Sequence, residues 1–318
     1  VVAEDKNFLG YGETIMAYDL TTHAAQMLQD NLNEMPALED VFGVKGKVAI
    51  VTGGSSGLGF NVTARLLQGG ANVVMASFNE AEENNACGVL EAAGFGPDRV
   101  RFFKANVTDE EDLQNLIKFT DETFGSIDIL VTCAAVWSYA QIYNMPKDEF
   151  NKVVTVNLTG TFLTVKHVSK YMIDHGIEGK MCLVSSNCAW LPYPTFGGYV
   201  HYAASKGGVV SLTIEAAREL KRYGIKVNTV APGGMATEGA TKNLVIDGLS
   251  EEDEDELYDG ISTPQFDEIK SVDSVARVVY AMCTDFTDGI TGEKIVPDNG
   301  MTHNIQKYQP EICQFPED

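Results

Sequence analysis

The sequence predicts an α/β fold: one doubly wound parallel sheet with helices on both faces, preceded by an amino-terminal arm. Three observations carry the prediction. From Lys47 onward, short apolar runs alternate with helix-length amphipathic segments, and parallel strands need crossovers of that kind. The first run leads at once into a glycine-rich turn and a helix. No shift in composition divides the 318 residues into a second domain, and no internal repeat or low-complexity segment is evident.

Residues 1–45 carry no strong strand pattern and form an added arm. Within it, Glu13–Leu32 has the periodicity of an amphipathic helix, with Ile15, Met16, Leu20, Met27 and Leu28 suited to packing on the body or on a second subunit. The grammar changes at Lys47. VAIV (48–51) is a buried strand, TGGSSGLG (52–59) a turn, and FNVTARLLQ (60–68) a helix. Strand, turn and helix in this order open a dinucleotide-binding, Rossmann-type fold. Gly53, Gly57 and Gly59 permit a tight turn and let backbone amides approach a pyrophosphate at the helix amino end. The alternation continues with strand ANVVMA, helix Ala81–Ala93, strand RVRFF, helix Glu110–Phe124 and strand IDILV. Helix Phe150–Asp174 precedes strand MCLV, and helix Tyr202–Tyr223 precedes strand IKVNTV.

A net charge of -22 argues against nucleic-acid and anionic-membrane partners, which require a positive footprint. There is no apolar run of membrane-spanning length and no basic segment followed by an apolar one near Val1, so a soluble, cytoplasmic protein is expected. Cys87, Cys133, Cys182, Cys188, Cys283 and Cys313 lack metal-site spacing or a disulfide framework, which predicts reduced thiols and no metal. The acidic run SEEDEDE (250–256) fits solvated carboxylates on a lid or at a helix start.

The chemistry concentrates between Ser186 and Lys206. Tyr202 and Lys206 are four residues apart, so a helix places both side chains on one face. A phenol titrates near about 10, and an adjacent ammonium stabilises its phenolate. Tyr202 is therefore the candidate acid/base and Lys206 its tuner. Ser185 and Ser186 end the strand MCLV and can aim a hydroxyl at the same space.

Taken with these residues, the glycine turn resembles the short-chain dehydrogenase/reductase family over residues 46–301. Its TGxxxGxG pattern is Thr52, Gly53, Gly57 and Gly59; its YxxxK pattern is Tyr202 and Lys206; VNLTG supplies Asn157 and PGGMAT supplies Pro232, Gly233 and Thr237. ITGEKIVPDNGM, from Ile290, is similar to the family's closing strand and loop. The resemblance implies a catalytic tetrad of Asn157, Ser186, Tyr202 and Lys206. Ser186 would hold the substrate oxygen and Tyr202 would exchange its proton as hydride moves to or from a nicotinamide. Lys206 would also hold the nicotinamide ribose, and Asn157 would position a water. It further implies cofactor contacts from Gly53, Ser55, Ser56, Gly57, Leu58 and Gly59 in the turn. Ser77, Phe78, Asn106, Val107 and Ala134 would follow at the strand ends, with Tyr202, Lys206, Pro232, Gly233, Met235 and Thr237 completing the set. Residues 235–270 would form a substrate lid and residues 302–318 a tail.

The chain departs from the family pattern in three places. Thr132, Cys133, Ala134 and Ala135 stand where NNAG is usual, so the hydrogen bonds of those asparagines must be replaced or absent. Ser186 lies three residues further from Tyr202 than the family spacing, which we read as an insertion. Tyr199 lies seven residues before Lys206, the spacing of enoyl reductases in the same superfamily. At the end of the second strand, where a carboxylate selects NAD and an Arg selects NADP, the chain has Ser77, Phe78 and Asn79, and Ser56 in the turn is neutral. With no cation to hold a phosphate, NAD is slightly favoured over NADP. Trp137, Tyr139, Trp190, Tyr193, Phe196 and Tyr199 could line a site for a large apolar ligand or pack on their own helices. These features are similar to those of bacterial hydroxysteroid dehydrogenases. The expected function is interconversion of a secondary alcohol and a ketone on a bulky apolar substrate. An enoyl reductase using Tyr199, or a nucleotide-binding protein without chemistry, are the alternatives. Family practice implies a homodimer or homotetramer through helices Phe150–Asp174 and Tyr202–Tyr223.

Overall fold

A computed structural model describes residues 20–191, 198–235, 237, 271–298 and 300. The chain divides into two compact units, Val1–Asp40 and Val41–Asp318. In the first, helix α1 spans Leu20–Glu34. Its Met27, Leu28 and Leu32 are exposed, while the expected Ile15 and Met16 lie outside the described residues. A short helix, α2, follows at Leu38–Phe42.

The second unit holds a seven-stranded sheet. Its strands are β1 (Val48–Thr52), β2 (Asn72–Ser77), β3 (Val100–Lys104), β4 (Ile129–Thr132), β5 (Lys180–Val184), β6 (Lys226–Val230) and β7 (Lys294–Ile295). The order is β3-β2-β1-β4-β5-β6-β7, and every pairing is parallel. Strand β1 is buried throughout because it is covered on both faces. Its Ala49 and Val51 join one core with Leu58, Val62 and Leu66 of α3 (Gly57–Gln68), Leu90 of α4 (Glu82–Ala92), and Val275 and Val279 of α9 (Val272–Met282). Its Ile50 points the other way. There it joins Leu113 and Leu116 of α5 (Glu110–Phe124), Val168 and Met172 of α7 (Gly160–His175) and Val209 of α8 (Val200–Leu220).

Strand order reverses between β1 and β4, so the connections after these two strands leave in opposite directions. The crevice beyond their carboxyl ends is where such sheets take ligands. The expected helix over 150–174 is built in three pieces. Helix α6 (Lys147–Val154) passes through one π-helical turn, Thr155–Thr159, into α7. That turn inserts a residue into the helical ladder and carries Asn157 inward, with no exposure to solvent.

Candidate active site

The turn after β1 is shaped by glycine. Gly53 (φ 66°) and Gly57 (φ 50°) adopt the left-handed conformation. A Cβ on Gly59 would lie 2.0 Å from the Gly53 carbonyl oxygen, and one on Gly53 would lie 2.8 Å from the Ala134 nitrogen. Only a chain without these side chains can bring the start of α3 down onto the turn and the turn against the end of β4. Ser56 precedes α3 in extended conformation without a side-chain cap, leaving the first-turn amides of α3 without a hydroxyl acceptor from that residue.

Above the strand ends lies a cavity of about 790 Å³. Gly53, Ser56, Gly57, Leu58 and Gly59 line it, as do Ser77, Phe78, Asn106, Val107, Ala134, Pro232, Gly233, Met235 and Thr237. Ser186, Tyr202 and Lys206 line the same space. Two expected residues stand apart from the wall. Ser55 is buried and donates its hydroxyl hydrogen to the Glu82 carboxylate. Asn157 is fully buried.

Helix α8 delivers Tyr202 and Lys206 on one face, as their spacing predicts. The Lys206 ammonium is buried, donates to the Val184 carbonyl at 2.9 Å, and sits 5.7 Å from the centre of the Tyr202 ring. Burial pushes its pKa down to about 8, against smaller opposing influences of Cys133 and Cys188. Ser185 also lines the cavity, and its hydroxyl donates to the Lys206 carbonyl at 2.8 Å, which ties α8 to the end of β5. Ser186 stands at the head of a single 3-10 turn, where its hydroxyl oxygen accepts from the Cys188 amide at 3.2 Å.

The Asn157 side chain works at second hand. Its carbonyl oxygen accepts from the Val136 amide at 2.8 Å, and its amide nitrogen donates to the Val136 carbonyl at 2.9 Å and to Ser205 Oγ at 3.1 Å. It therefore fastens the loop after β4 to the helix that presents Tyr202 and Lys206. Where NNAG is usual, the backbone is anchored to Thr52, whose carbonyl accepts from Cys133 N–H at 2.9 Å and whose hydroxyl accepts from Ala134 N–H at 3.4 Å. Thr132 Oγ1 remains buried without a hydrogen-bond partner among the described residues.

The aromatic residues are dispersed rather than gathered. Trp137 lines the cavity, 6.1 Å from the Tyr202 ring centre and edge-on to it. The Tyr199 hydroxyl bonds that of Tyr139, and neither residue is among those that line the cavity. Trp190 lies beneath the Lys294 ammonium, 3.5 Å from its ring centre. Tyr193 and Phe196 lie outside the described residues, as do most of the expected lid (235–270), the acidic run 250–256 and the tail 302–318. Among the described residues there is no cluster of groups able to hold a metal ion, and no helix long and apolar enough to cross a membrane.

One expectation is corrected. The sequence shows no acid at the end of β2, yet Glu82, five residues on, lines the cavity and accepts from Ser77 at 3.1 Å. The connection between β2 and α4 is short, so the first residue of the helix folds back over the strand end. The run NEAEE (79–83) carried that signal.

Sheet order, switch-point crevice and glycine turn together define a doubly wound nucleotide-binding architecture. The family model described as short chain dehydrogenase matches residues 47–244. The chain belongs to the short-chain dehydrogenase/reductase family of oxidoreductases. It is 33% identical over 269 residues to the short chain dehydrogenase/reductase astE of Aspergillus oryzae, covering 84% of this chain and 99% of that protein. With short-chain dehydrogenase reductase 3c of Arabidopsis thaliana it shares 30% identity over 81% of this chain and 95% of the relative. A crystal structure of a short-chain type dehydrogenase/reductase from Mycobacterium marinum superposes with a TM-score of 0.74 at 26% identity, over 83% of this chain and 98% of that one.

Proposed function

We propose that this chain is an NAD(P)-dependent oxidoreductase that interconverts a secondary alcohol and a ketone, with Ser186, Tyr202 and Lys206 at the reacting end of the cavity. The carrying observation is the buried Lys206 ammonium beside the Tyr202 ring, in one cavity with Ser186 and the glycine turn. The turn fits a dinucleotide: a Cβ at Gly59 or Gly53 would collide with the Gly53 carbonyl or the Ala134 nitrogen, and without them the turn packs tightly at the amino end of α3, where backbone amides can meet a pyrophosphate. A nicotinamide dinucleotide, when bound, supplies the site that accepts or donates hydride.

This chain's residues do the rest. Ser186 donates to the substrate oxygen and orients it. The Tyr202 hydroxyl takes the alcohol proton during oxidation and returns it during reduction. Lys206 lowers the free energy of the Tyr202 phenolate by its charge. Asn157 keeps Val136 and Ser205 in register, which holds the loop carrying Trp137 against α8. The substrate we favour is bulky and apolar, such as a hydroxysteroid or bile acid, because Trp137 offers a flat apolar wall beside Tyr202. Residues 235–270 would close over it as a lid. A homo-oligomer through α7 and α8 is supported by exposed Phe162 and Ile214 on those helices.

Carbonyl chemistry is preferred to enoyl reduction because the Tyr199 hydroxyl is engaged with Tyr139 whereas Tyr202 lines the cavity. The test follows nicotinamide absorbance with NAD and NADP over a panel of secondary alcohols that includes hydroxysteroids, for the wild type and Tyr202→Phe. Turnover should fall by about 10²-fold or more in the variant while dinucleotide binding persists. Unchanged turnover in Tyr202→Phe would reject the assignment, and consumption of reduced cofactor with an enoyl thioester that depends on Tyr199 would establish the alternative.

A further inference from the structure

We propose that Ser138, His201 and Glu149 are positioning residues that set Trp137 over the reacting centre and so decide how bulky an alcohol the site accepts. The proposal rests on the reading that Tyr202 carries alcohol chemistry in this cavity. It assigns the width of the substrate space to three side chains, none of which lines that cavity.

The loop after β4 is pinned residue by residue. Asn157 holds the Val136 backbone. Ser138 Oγ lies 2.9 Å from His201 Nε2 and donates to Glu149 Oε1 at 2.6 Å. The Tyr139 hydroxyl is bonded to that of Tyr199, and the Ala140 amide donates to the Gly198 carbonyl at 3.2 Å. Trp137 falls between the pinned residues Val136 and Ser138, and it lines the cavity with its ring 6.1 Å from that of Tyr202. With the backbone fixed on either side, the indole is placed by its own rotamer.

The three side chains form one run of hydrogen bonds across three elements. His201 is fully buried on α8, Glu149 stands in the first turn of α6, and Ser138 lies in the loop between them. A carboxylate only accepts, so the single hydroxyl hydrogen of Ser138 goes to Glu149. The Ser138 oxygen then accepts from His201, which places a proton on Nε2. Removing the Ser138 hydroxyl would leave that buried donor unmet, a costly state. Neighbouring helical residues point about 100° apart, so one turn of α8 offers Tyr202 to the cavity and His201 to the loop. The apolar wall and the reacting hydroxyl are therefore both referred to the same turn of helix. A Trp137 released from that reference would take its flat face away from a bulky alcohol, whereas a small alcohol held at Ser186 and Tyr202 does not need it.

The test reads placement and selectivity separately. Ser138→Ala, His201→Leu and His201→Gln are made in a Trp190→Phe parent, where Trp137 is the sole tryptophan, and thermal unfolding of each full chain is recorded. Without cofactor or substrate, Trp137 emission should shift to the red in Ser138→Ala and His201→Leu. Turnover is then followed with 2-propanol, cyclohexanol and cholate. The ratio of kcat/KM for the bulkiest reacting alcohol to that for 2-propanol should fall by about tenfold in both variants, through KM rather than kcat. His201→Gln keeps a donor for Ser138, and it should restore the parent's emission and bring the ratio back to within about twofold. Should His201→Leu fail to fold, Ser138→Ala, which removes one oxygen atom, decides alone. Lower thermal stability with emission and ratio both unchanged is what a purely structural tether gives, and it overturns the proposal. A His201→Gln protein that behaves like His201→Leu overturns it as well. Failure of the wild type to turn over any alcohol overturns the oxidoreductase reading and the selectivity role with it, whereas unchanged emission overturns the placement of Trp137 whatever the chemistry.

Discussion

Asn157→Ala is the perturbation that most directly tests how the site is held together. The side chain has no solvent exposure and makes three hydrogen bonds, two to the Val136 backbone and one to Ser205. Truncation strands the Val136 amide and carbonyl, and a stranded group of this kind costs about 1–3 kcal/mol. With some relief from water entering the space, the net loss should be about 3 kcal/mol. For a unit of this size each kcal/mol lowers the melting temperature by about 2–4 °C, so a fall of about 6–12 °C is expected by circular dichroism. Ser205 precedes Lys206 in sequence and donates to the Tyr202 carbonyl at 2.7 Å. Loss of this tether should therefore also reduce turnover by about tenfold or more, with a smaller effect on dinucleotide affinity. A melting temperature within about 2 °C of wild type would refute the account of Asn157 as the fastening between the loop after β4 and α8.

Gly59→Ala should lower dinucleotide affinity by about 10²-fold, since the added Cβ would fall 2.0 Å from the Gly53 carbonyl and force the turn open by about 1 Å; calorimetric titration checks this, and retained affinity would contradict the cradle. Lys206 gives a signed pH dependence. Its pKa is near 8 when folded and 10.5 as an ordinary lysine, so between these values the unfolded chain binds more protons and stability gains as pH rises. The unfolding free energy of wild type minus that of Lys206→Met should therefore climb across pH 8 to 10.5, by roughly 1 kcal/mol per pH unit at most; a flat or falling difference would show that Lys206 is not desolvated.

The sheet is legible in the sequence because a strand covered on both faces reads as a continuous apolar run, as VAIV and MCLV do. Helix α5 is legible to the residue because both ends are marked: Asp109 accepts from the amides of Glu111 and Asp112, and Gly125 turns left-handed at φ 77°. The break in the helix over 150–174 is not legible. Hydrophobic periodicity tolerates the one-residue slip of a π turn, and the partners that fix it, Val136 and Ser205, are distant in sequence. Tyr202 and Lys206 follow from helical spacing, whereas the acidic run NEAEE (79–83) shows that carboxylates follow β2 but not which of them the tight connection brings back to the strand end. The aromatics are ambiguous in the sequence, which allows both a substrate wall and packing within the protein. The structure shows the Trp190 face under the Lys294 ammonium and the Tyr139 hydroxyl bonded to that of Tyr199.

The two ends of the cavity carry opposite charges, each held among the described residues by neutral hydrogen-bond partners. Glu82 is held by neutral donors, and Lys206 is buried against a neutral carbonyl, with a pKa brought down to about 8. Holding that ammonium in a dry site is unfavourable, and on the proposed reading this is what the reaction uses. Lysine suits the position because its pKa shifts readily on burial, whereas an arginine would stay charged and spread that charge over a larger group. A phenolate forming on Tyr202 would give Lys206 a counter-charge, and the ammonium would stabilise the phenolate by the same amount, since such coupling is reciprocal. The desolvation that weakens Lys206 as an isolated cation thus strengthens its coupling to Tyr202. A more hydrated Lys206 would be easier to fold and a poorer partner for Tyr202.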